Sequence, residues 1–317
     1  MYKNLFVFLC CFLSFASYGA TDDLIVDAQD VFSAANIVCS GISDEISKVS
    51  NVSKVNTVVT AVGTVAATGA LYAGIQKSQE EKEIDELVEQ ICAAGGCTPE
   101  GVESMSDEDF FYKVMRPMAQ IVELKEHLKK SKNLGNWRTG LMAGTIGTNV
   151  ASAILSGVNK NQSDLIQHIQ ACNEAMRSVN SVSDKLRRQG VSPLEYPIVK
   201  RLDSIKTWCN SINVSDVEKI EKRMTGVMGT SIAGAVIGVA GTATSAAANS
   251  DKYMDEKNRI NLTEQEKKKK DNLNTAANIM AGANIVTGAV ETGLNISLIN
   301  LTKKLIKQAE QCEKVFE

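Results

Sequence analysis

The sequence predicts an all-α protein of two tandem, long antiparallel helical hairpins, which derive from an internal duplication and pack as an elongated four-helix bundle. Three observations lead to this fold class. The composition has no strand pattern, four stretches of small uncharged residues recur along the chain, and the cysteines occupy matching places in the two halves.

The composition favours helices throughout. Aromatic residues make up 5% of the 317-residue chain, and only 4 prolines occur. No alternating run of β-branched and polar residues lies between turn signals, as a strand would require. The formal net charge of -3 and the pI near 5.7 argue against a nucleic-acid partner, because proteins that bind phosphates normally carry a basic face.

The N-terminus predicts export. Residues 1–19 contain an early lysine, Lys3, then an apolar run from Leu5 to Phe15, then small residues before Ala20. This order is typical of a secretory signal peptide. A signal anchor is the alternative, although the apolar run is short for a membrane span. We therefore expect an exported protein that is membrane-associated, periplasmic or extracellular.

Four stretches of the chain consist mainly of Gly, Ala, Thr, Ser and Val, and none contains a charged residue. One of them reads TGVMGTSIAGAVIGVAGTAT. Repetition at this scale indicates that the folding unit is itself repeated. The stretches are named S1 (55–75), S2 (139–159), S3 (225–244) and S4 (274–290).

The cysteines follow the same division. Six remain after the predicted signal peptide, an even number that suits disulfides in an exported protein. Cys39 lies sixteen residues before S1, and Cys209 lies sixteen residues before S3. Cys172 follows S2 and Cys312 follows S4. Each half therefore has the order cysteine, stretch, turn, stretch, cysteine.

In the first predicted hairpin, residues 20–180, Cys39 and Cys172 have the same sum of residue numbers as Gly63 and Thr148. Facing residues of an antiparallel pair have a constant sum, so this register predicts a Cys39–Cys172 disulfide. Such a bridge closes a loop of more than a hundred residues, which stabilises the fold by on the order of 4 kcal/mol in the chain-entropy account.

The second predicted hairpin, residues 181–317, has a register of the same kind. Cys209 and Cys312 share their sum of residue numbers with Gly238 and Ala283, near the middles of S3 and S4. This agreement predicts a Cys209–Cys312 disulfide that closes a second long loop.

Local motifs complete the two hairpins. The turns are expected near residues 105 and 260, and next to the second turn Thr263 and Glu266 have the spacing of a capping box. Cys92 and Cys97, in CAAGGC, are expected to close a small loop at the tip of the first hairpin. A free-thiol pair or a metal clip is the alternative for these two cysteines.

The stretches also carry the functional prediction. A helix in a soluble bundle normally keeps a charged face toward water, and these stretches have none. About 20 uncharged helical residues match the roughly 30 Å of a bilayer core. Small residues four apart let helices approach closely, as in a glycine zipper. The residues predicted to pack in this way are Gly63, Gly140, Gly144, Gly226, Gly234, Gly238 and Gly282.

Two functions from different classes follow. The leading hypothesis is a non-enzymatic exported envelope protein that inserts in or associates with a membrane through these helices, with pore formation as one form of it. The alternative is a soluble secreted structural or adhesin-like protein that assembles through the same helices. Asn149, Asn284 and Glu291, within or beside the stretches, favour the alternative. The expected partners are a lipid bilayer or like subunits in a homo-oligomer.

No motif predicts catalysis. The chain has 2 histidines and none of the spacings that mark a nucleophile, a metalloprotease or a phosphate loop. His168 and Cys172 lie four residues apart, which suits a metal, but a second ligand pair is missing. We expect no enzyme activity, no cofactor and no metal. Charged segments beside the stretches, such as KSQEEKEIDELVEQ and TEQEKKKKD, are expected to be solvated helix surfaces.

Overall fold

The structure is a computed structural model that describes residues 22–93, 116–160, 163–210, 212 and 214–316. Over these residues the chain is helical apart from short turns, and no strand occurs. The predicted all-α fold class is therefore confirmed. The predicted signal peptide and the predicted turn near residue 105 lie outside the described residues.

The helices are long because little in the sequence interrupts them. Pro197 stands at the start of its helix, where its missing N–H is not needed. The four longest helices, α2, α3, α6 and α9, have 52, 45, 35 and 50 residues. The helices of the described chain are α1 (22–39), α2 (Ile42–Ala93), α3 (Arg116–Lys160), α4 (Ser163–Arg188), α5 (Pro197–Cys209), α6 (Val214–Ala248), α7 (Asp251–Met254), α8 (Glu256–Ile260) and α9 (Glu264–Glu313).

The breaks between helices follow from local sequence. Gly41 separates α1 from α2 with a φ of 82°, a conformation that residues with a Cβ rarely adopt. Before α9, the Thr263 backbone N–H donates to Glu266 Oε2 at 3.1 Å, and the Glu266 N–H donates to Thr263 Oγ1 at 3.3 Å. These reciprocal bonds confirm the predicted capping box.

The chain divides into two compact units, which differ from the predicted hairpins. Each unit takes segments from both residues 20–180 and residues 181–317, because contacts form between helices of the two halves as well as within each half. Unit 1 comprises the described residues of Met1–Val55, Ser156–Thr225 and Asn295–Glu317, and unit 2 comprises those of Asn56–Leu155 and Gly226–Leu294.

Unit 1 has an apolar core of the kind found in water-soluble helical proteins. Ile42, Ile169, Leu202 and Leu305 are each at most 1% exposed and belong to one continuous cluster. Burial of an aliphatic side chain of this size is worth roughly 1.5 to 3 kcal/mol. Asp216 is the only buried charged side chain in the described part of this unit.

Two disulfides lie in the core of unit 1. Cys39 is bonded to Cys172, with Cα atoms 4.9 Å apart, and Cys209 is bonded to Cys312, with Cα atoms 4.6 Å apart. These are the two pairs predicted from the hairpin registers, and they join positions 133 and 103 residues apart. Cys92 is also disulfide-bonded, and its predicted partner lies outside the described residues.

Unit 2 is built mainly from segments of α2, α3, α6 and α9. Contacts join four pairs of helices: α2 with α3, α3 with α6, α6 with α9, and α9 with α2. In each pair, the residue number rises along one helix as it falls along the other. Each of these helix pairs therefore runs antiparallel. The contacts are Gly63–Thr148 and Lys77–Ser131, Ser152–Ser231 and Arg138–Ser245, Gly226–Leu294 and Gly238–Asn284, and Thr60–Thr292 and Ser78–Asn278.

Candidate functional site

The outer surface of unit 2 is apolar where the small-residue stretches lie. In S1 the side chains of Val58, Val62 and Val65 are 64%, 57% and 72% exposed. Contiguous exposed apolar surface of this kind marks a contact with lipid or with another protein. The other exposed apolar side chains of the stretches in unit 2 are Tyr72, Ile75, Val150, Ile154, Ile232, Val236, Val239, Ile279, Val286 and Val290.

Between the stretches, the interior of unit 2 holds many small polar side chains, which are at most 5% exposed. A small apolar cluster of Ala70, Met142 and Ala281 lies among them, and a separate apolar cluster that includes Ile84 and Leu124 lies beyond the stretches. Within the stretches the interior is therefore more polar than the core of unit 1. The buried charged residues are Lys77, Glu80, Glu81, Arg138, Arg259, Lys270 and Glu291, and the buried uncharged polar ones in the stretches include Thr60, Thr145, Asn149, Ser152, Ser231, Asn274 and Asn284.

Three helical spans are long and apolar enough to cross a membrane. They are Asp22–Ala93, which covers α1 and α2, Gln120–Val158 in α3, and Ser215–Ala248 in α6. Only 33%, 28% and 33% of their most apolar windows is buried within the chain itself. Most residues of those windows thus remain available for contact with a surrounding medium.

Four of the glycines predicted to pack lie at close helix contacts. A Cβ built on Gly63 would lie on the Thr148 hydroxyl, and one on Gly226 would lie 3.3 Å from Leu294. A Cβ on Gly234 would lie 2.6 Å from Asn149 Nδ2, and one on Gly238 would lie 2.8 Å from Ile146 Cγ1. At each of these positions the missing side chain lets a neighbouring helix approach.

The other predicted glycines do not pack in this way. A Cβ on Gly140, Gly144 or Gly282 would have no neighbour within 4 Å among the described residues. The sequence also missed other close approaches, among them Gly288 facing Thr64, Gly135 facing Asn249 and Gly241 facing Met142. Spacing four apart identifies a ridge on a helix, but it does not say which ridge faces a partner.

A matched pair of substitutions in α6 tests these contacts. We expect Gly234→Leu to destabilise unit 2 by about 1 to 3 kcal/mol, because the new side chain overlaps Asn149. Gly229→Leu, where a Cβ has no neighbour within 4 Å, is expected to be neutral or stabilising, since it only replaces a helical glycine. Thermal unfolding of the two variants compares them. Equal midpoints would contradict the assigned contact.

One end of the polar interior contains a cluster of buried charges, named the Glu81 cluster and formed by Lys77, Glu81, Arg259 and Lys270 with the half-exposed Asp85. Glu81 Oε1 accepts a hydrogen bond from Lys77 Nζ at 3.2 Å, and Glu81 Oε2 lies 2.9 Å from Arg259 Nη2 and also accepts from Lys270. Arg259 Nη2 also donates to Asp85. One carboxylate therefore holds three cations that come from α2, α8 and α9.

The Glu81 cluster corrects an expectation from the sequence. Lys77 and Lys270 are 0% exposed and Glu81 is 4% exposed, although their segments were expected to be solvated. The spacing of Lys77 and Glu81 is that of a surface pair on one helix, and it gives no sign that other helices cover it.

The Glu81 cluster joins α2, α8 and α9. Because each of its three cations shares the Glu81 carboxylate, the cluster holds helices of unit 2 together.

Another buried cation, Arg138, directly precedes S2, and its hydrogen-bond partners among the described residues are neutral. Its Nε donates to Ser245 at 2.8 Å, its Nη2 to Asn274 at 3.0 Å and its Nη1 to Asn278 at 3.3 Å. The side chain is 0% exposed. A fixed positive charge thus occupies the interior where α3, α6 and α9 meet.

Glu291 is the buried carboxyl group of the opposite part of the interior. Its Oε1 accepts hydrogen bonds from Ser152 and, at 2.7 Å, from Ser231. The two serine hydroxyl oxygens are 3.0 Å apart. Glu291 is 1% exposed, and Ser152 and Ser231 are 0% exposed. The sequence singled out Glu291 as polar but gave no indication of its partners.

Both histidines lie beside carboxylates. His127 Nδ1 is 2.9 Å from Glu80 and 3.1 Å from Glu83, and these three side chains have the donor atoms of a metal site. Lys130 pairs with Glu80, so it offsets one of the two carboxylates. His168 lies 3.2 Å from Glu45 and not with a ligand set that includes Cys172, whose sulphur is bonded to Cys39.

Comparison with protein-family models, curated proteins and solved structures finds no match.

Proposed function

We propose that the chain is a non-enzymatic exported protein that inserts unit 2 into a membrane. The proposal rests on the distribution of residues in the stretches of unit 2, where valine and isoleucine lie outside and many polar residues lie inside. Lipid favours this arrangement, because polar side chains in a membrane face the bundle interior and apolar ones face the acyl chains. Unit 1 has an apolar core and is the part expected in water.

The outward side chains supply the free energy of insertion. Thirteen large apolar or aromatic side chains of the stretches in unit 2 are 44% to 72% exposed. Burial of the exposed half of such a side chain is worth roughly 1 kcal/mol, so the sum is on the order of 10 kcal/mol. The polar side chains need not meet lipid, because neighbouring helices cover them. Insertion of the folded unit is therefore favourable.

The proposed architecture in the membrane is the predicted pair of hairpins packed as a four-helix bundle. The antiparallel contacts among α2, α3, α6 and α9 support it, and so do the two disulfides, which are consistent with an exported protein. α9 also turns Ile279, Val286 and Val290 outward, as a membrane helix would.

A pore through one copy of unit 2 is opposed by Arg138. This buried guanidinium group occupies the interior and is held by side chains of two other helices, α6 and α9, and a fixed positive charge there repels cations. A pore-forming role would thus require several copies arranged around a shared channel. Lipid and like subunits are the partners proposed for the apolar outer surface.

Flotation with liposomes tests membrane insertion. We expect the full chain, with its disulfides intact, to float with vesicles of neutral lipid and to remain with them after alkaline-carbonate extraction. Release into the soluble fraction would contradict insertion and would favour the soluble secreted assembly. Dye retained in the same vesicles at saturating protein would remove the pore-forming form of the proposal.

A matched pair of lysine substitutions locates the inserted surface. Val236→Lys places a charge on the apolar surface of unit 2, where the native side chain is 65% exposed, and at the centre of a bilayer this costs about 2.5 to 3.5 kcal/mol. Flotation should fall roughly a hundredfold in partition coefficient. Ile37→Lys, at a 75% exposed position of unit 1, should leave flotation unchanged. An equal effect of both changes would show that unit 2 is not the inserted part.

A further inference from the structure

The interior of unit 2 contains a carboxylate that no basic side chain neutralises. Within the described chain, no Lys, Arg or His forms an ion pair with Glu291, and its Oε2 has no hydrogen-bond partner. The Ser152 and Ser231 hydroxyl groups are its only polar contacts there. An isolated buried carboxylate is strongly disfavoured, so it must take up either a proton or a cation.

We propose that Glu291, Ser152 and Ser231 bind one small monovalent cation with the size and hardness of Na⁺. The site offers carboxylate and hydroxyl oxygens, which are the donors that hard cations prefer. The hydroxyl hydrogens rotate, so each serine oxygen can turn a lone pair toward the cation. This inference does not depend on membrane insertion, since it concerns only the interior of unit 2.

Charge and spacing select the kind of cation. One carboxylate and two neutral hydroxyl groups carry a net charge of about -1, which a monovalent cation cancels. A divalent cation would leave an uncompensated positive charge in a buried site, which is costly. The serine oxygens are 3.0 Å apart, a close separation that suits Na⁺ better than the larger K⁺.

Two asparagines extend the polar interior from Glu291 toward Arg138. Asn149 lies one helical turn from Ser152, and Asn284 lies two turns from Glu291. Asn149 Nδ2 and both polar atoms of the Asn284 amide have no hydrogen-bond partner among the described residues, although both side chains are buried. The two Nδ2 groups can donate only to water, while Asn284 Oδ1 can accept from water.

Arg138 limits how far a cation bound at Glu291 can move along the interior of unit 2. It lies on α3 about 20 Å from Ser152 along the helix axis, by the rise of 1.5 Å per residue. Its buried positive charge repels a cation that moves along the interior. The cation is therefore held at Glu291 and does not pass through unit 2.

Thermal unfolding in different salts tests the site. The full chain in detergent is unfolded in NaCl, KCl or choline chloride at equal ionic strength, with Trp137 in unit 2 as the fluorescent probe in a Trp208→Phe background. We expect the midpoint in NaCl to exceed that in choline chloride by about 2 to 4 °C, with a smaller rise in KCl. Equal midpoints in the three salts would overturn the proposal, because Glu291 would then be protonated.

Variants assign the effect to this carboxylate. Glu291→Gln keeps the shape and the acceptor for both serines, and it should abolish the difference between salts. Glu264→Gln, at an exposed position of the same helix, should retain the difference. Retention in Glu291→Gln, or a larger rise with CaCl₂ than with NaCl, would contradict the assignment. If Glu291→Gln does not fold, Ser231→Ala gives a second test, since it keeps the charge and should reduce the difference.

Discussion

Replacing Glu81 by glutamine is expected to destabilise unit 2 by about 3 to 5 kcal/mol. The substitution keeps the shape of the side chain but leaves Lys77, Arg259 and Lys270 as buried cations without their shared carboxylate. Removing one partner of a buried ion network is costly, because the remaining charges stay desolvated. Chemical denaturation monitored by Trp137 in a Trp208→Phe background reports on unit 2.

The control for this change is Glu86→Gln on the same helix. Glu86 is exposed, so its loss should change stability by less than about 0.5 kcal/mol. If Glu81→Gln is as stable as this control, the cluster does not hold unit 2 together.

Removing either long-range disulfide is expected to lower the stability of unit 1 by about as much as Glu81→Gln lowers the stability of unit 2. They close loops of 133 and 103 residues, so each constrains the unfolded chain by about 4 to 5 kcal/mol in the chain-entropy account. Replacing both cysteines of one pair with serine avoids leaving a free thiol. Trp208, which precedes Cys209, reports on unit 1 in a Trp137→Phe background.

Comparison of the two paired variants provides an internal control. Cys39→Ser with Cys172→Ser should lower the stability of unit 1 by nearly the same amount as Cys209→Ser with Cys312→Ser, since the loss grows only slowly with loop length. Unchanged stability in both variants would show that the bridges do not constrain this unit.

The sequence predicted the helices and the two long-range disulfide pairs because both depend on local or periodic features. The capping box at Thr263 is local, and the order of cysteines and small-residue stretches repeats in the two halves. The compact units were not predictable in the same way. Their limits depend on contacts between helices from both halves, and the duplication boundary near residue 180 carries no information about those contacts.

The candidate site was predictable only in outline. The uncharged stretches indicated a helix without a normal wet face, but they did not show that valines face outward while Asn149, Ser231 and Glu291 face inward. Gly234 and Gly144 look alike in sequence, yet only Gly234 faces a neighbouring helix. Lys270 sits in a run of four lysines, where nothing local distinguishes the buried one from the others. Each of these distinctions is made by packing between helices.

Site-directed spin labelling in vesicles tests the proposed insertion of unit 2 most directly. Single labels are placed at Val65, Val236 and Val286 on the apolar surface and at Ile37 in unit 1. The account predicts that the three labels on unit 2 are accessible to oxygen and protected from a water-soluble nickel reagent, while the label at Ile37 is accessible to the nickel reagent. Nickel access at Val65, Val236 and Val286 in vesicle-bound protein would contradict the account.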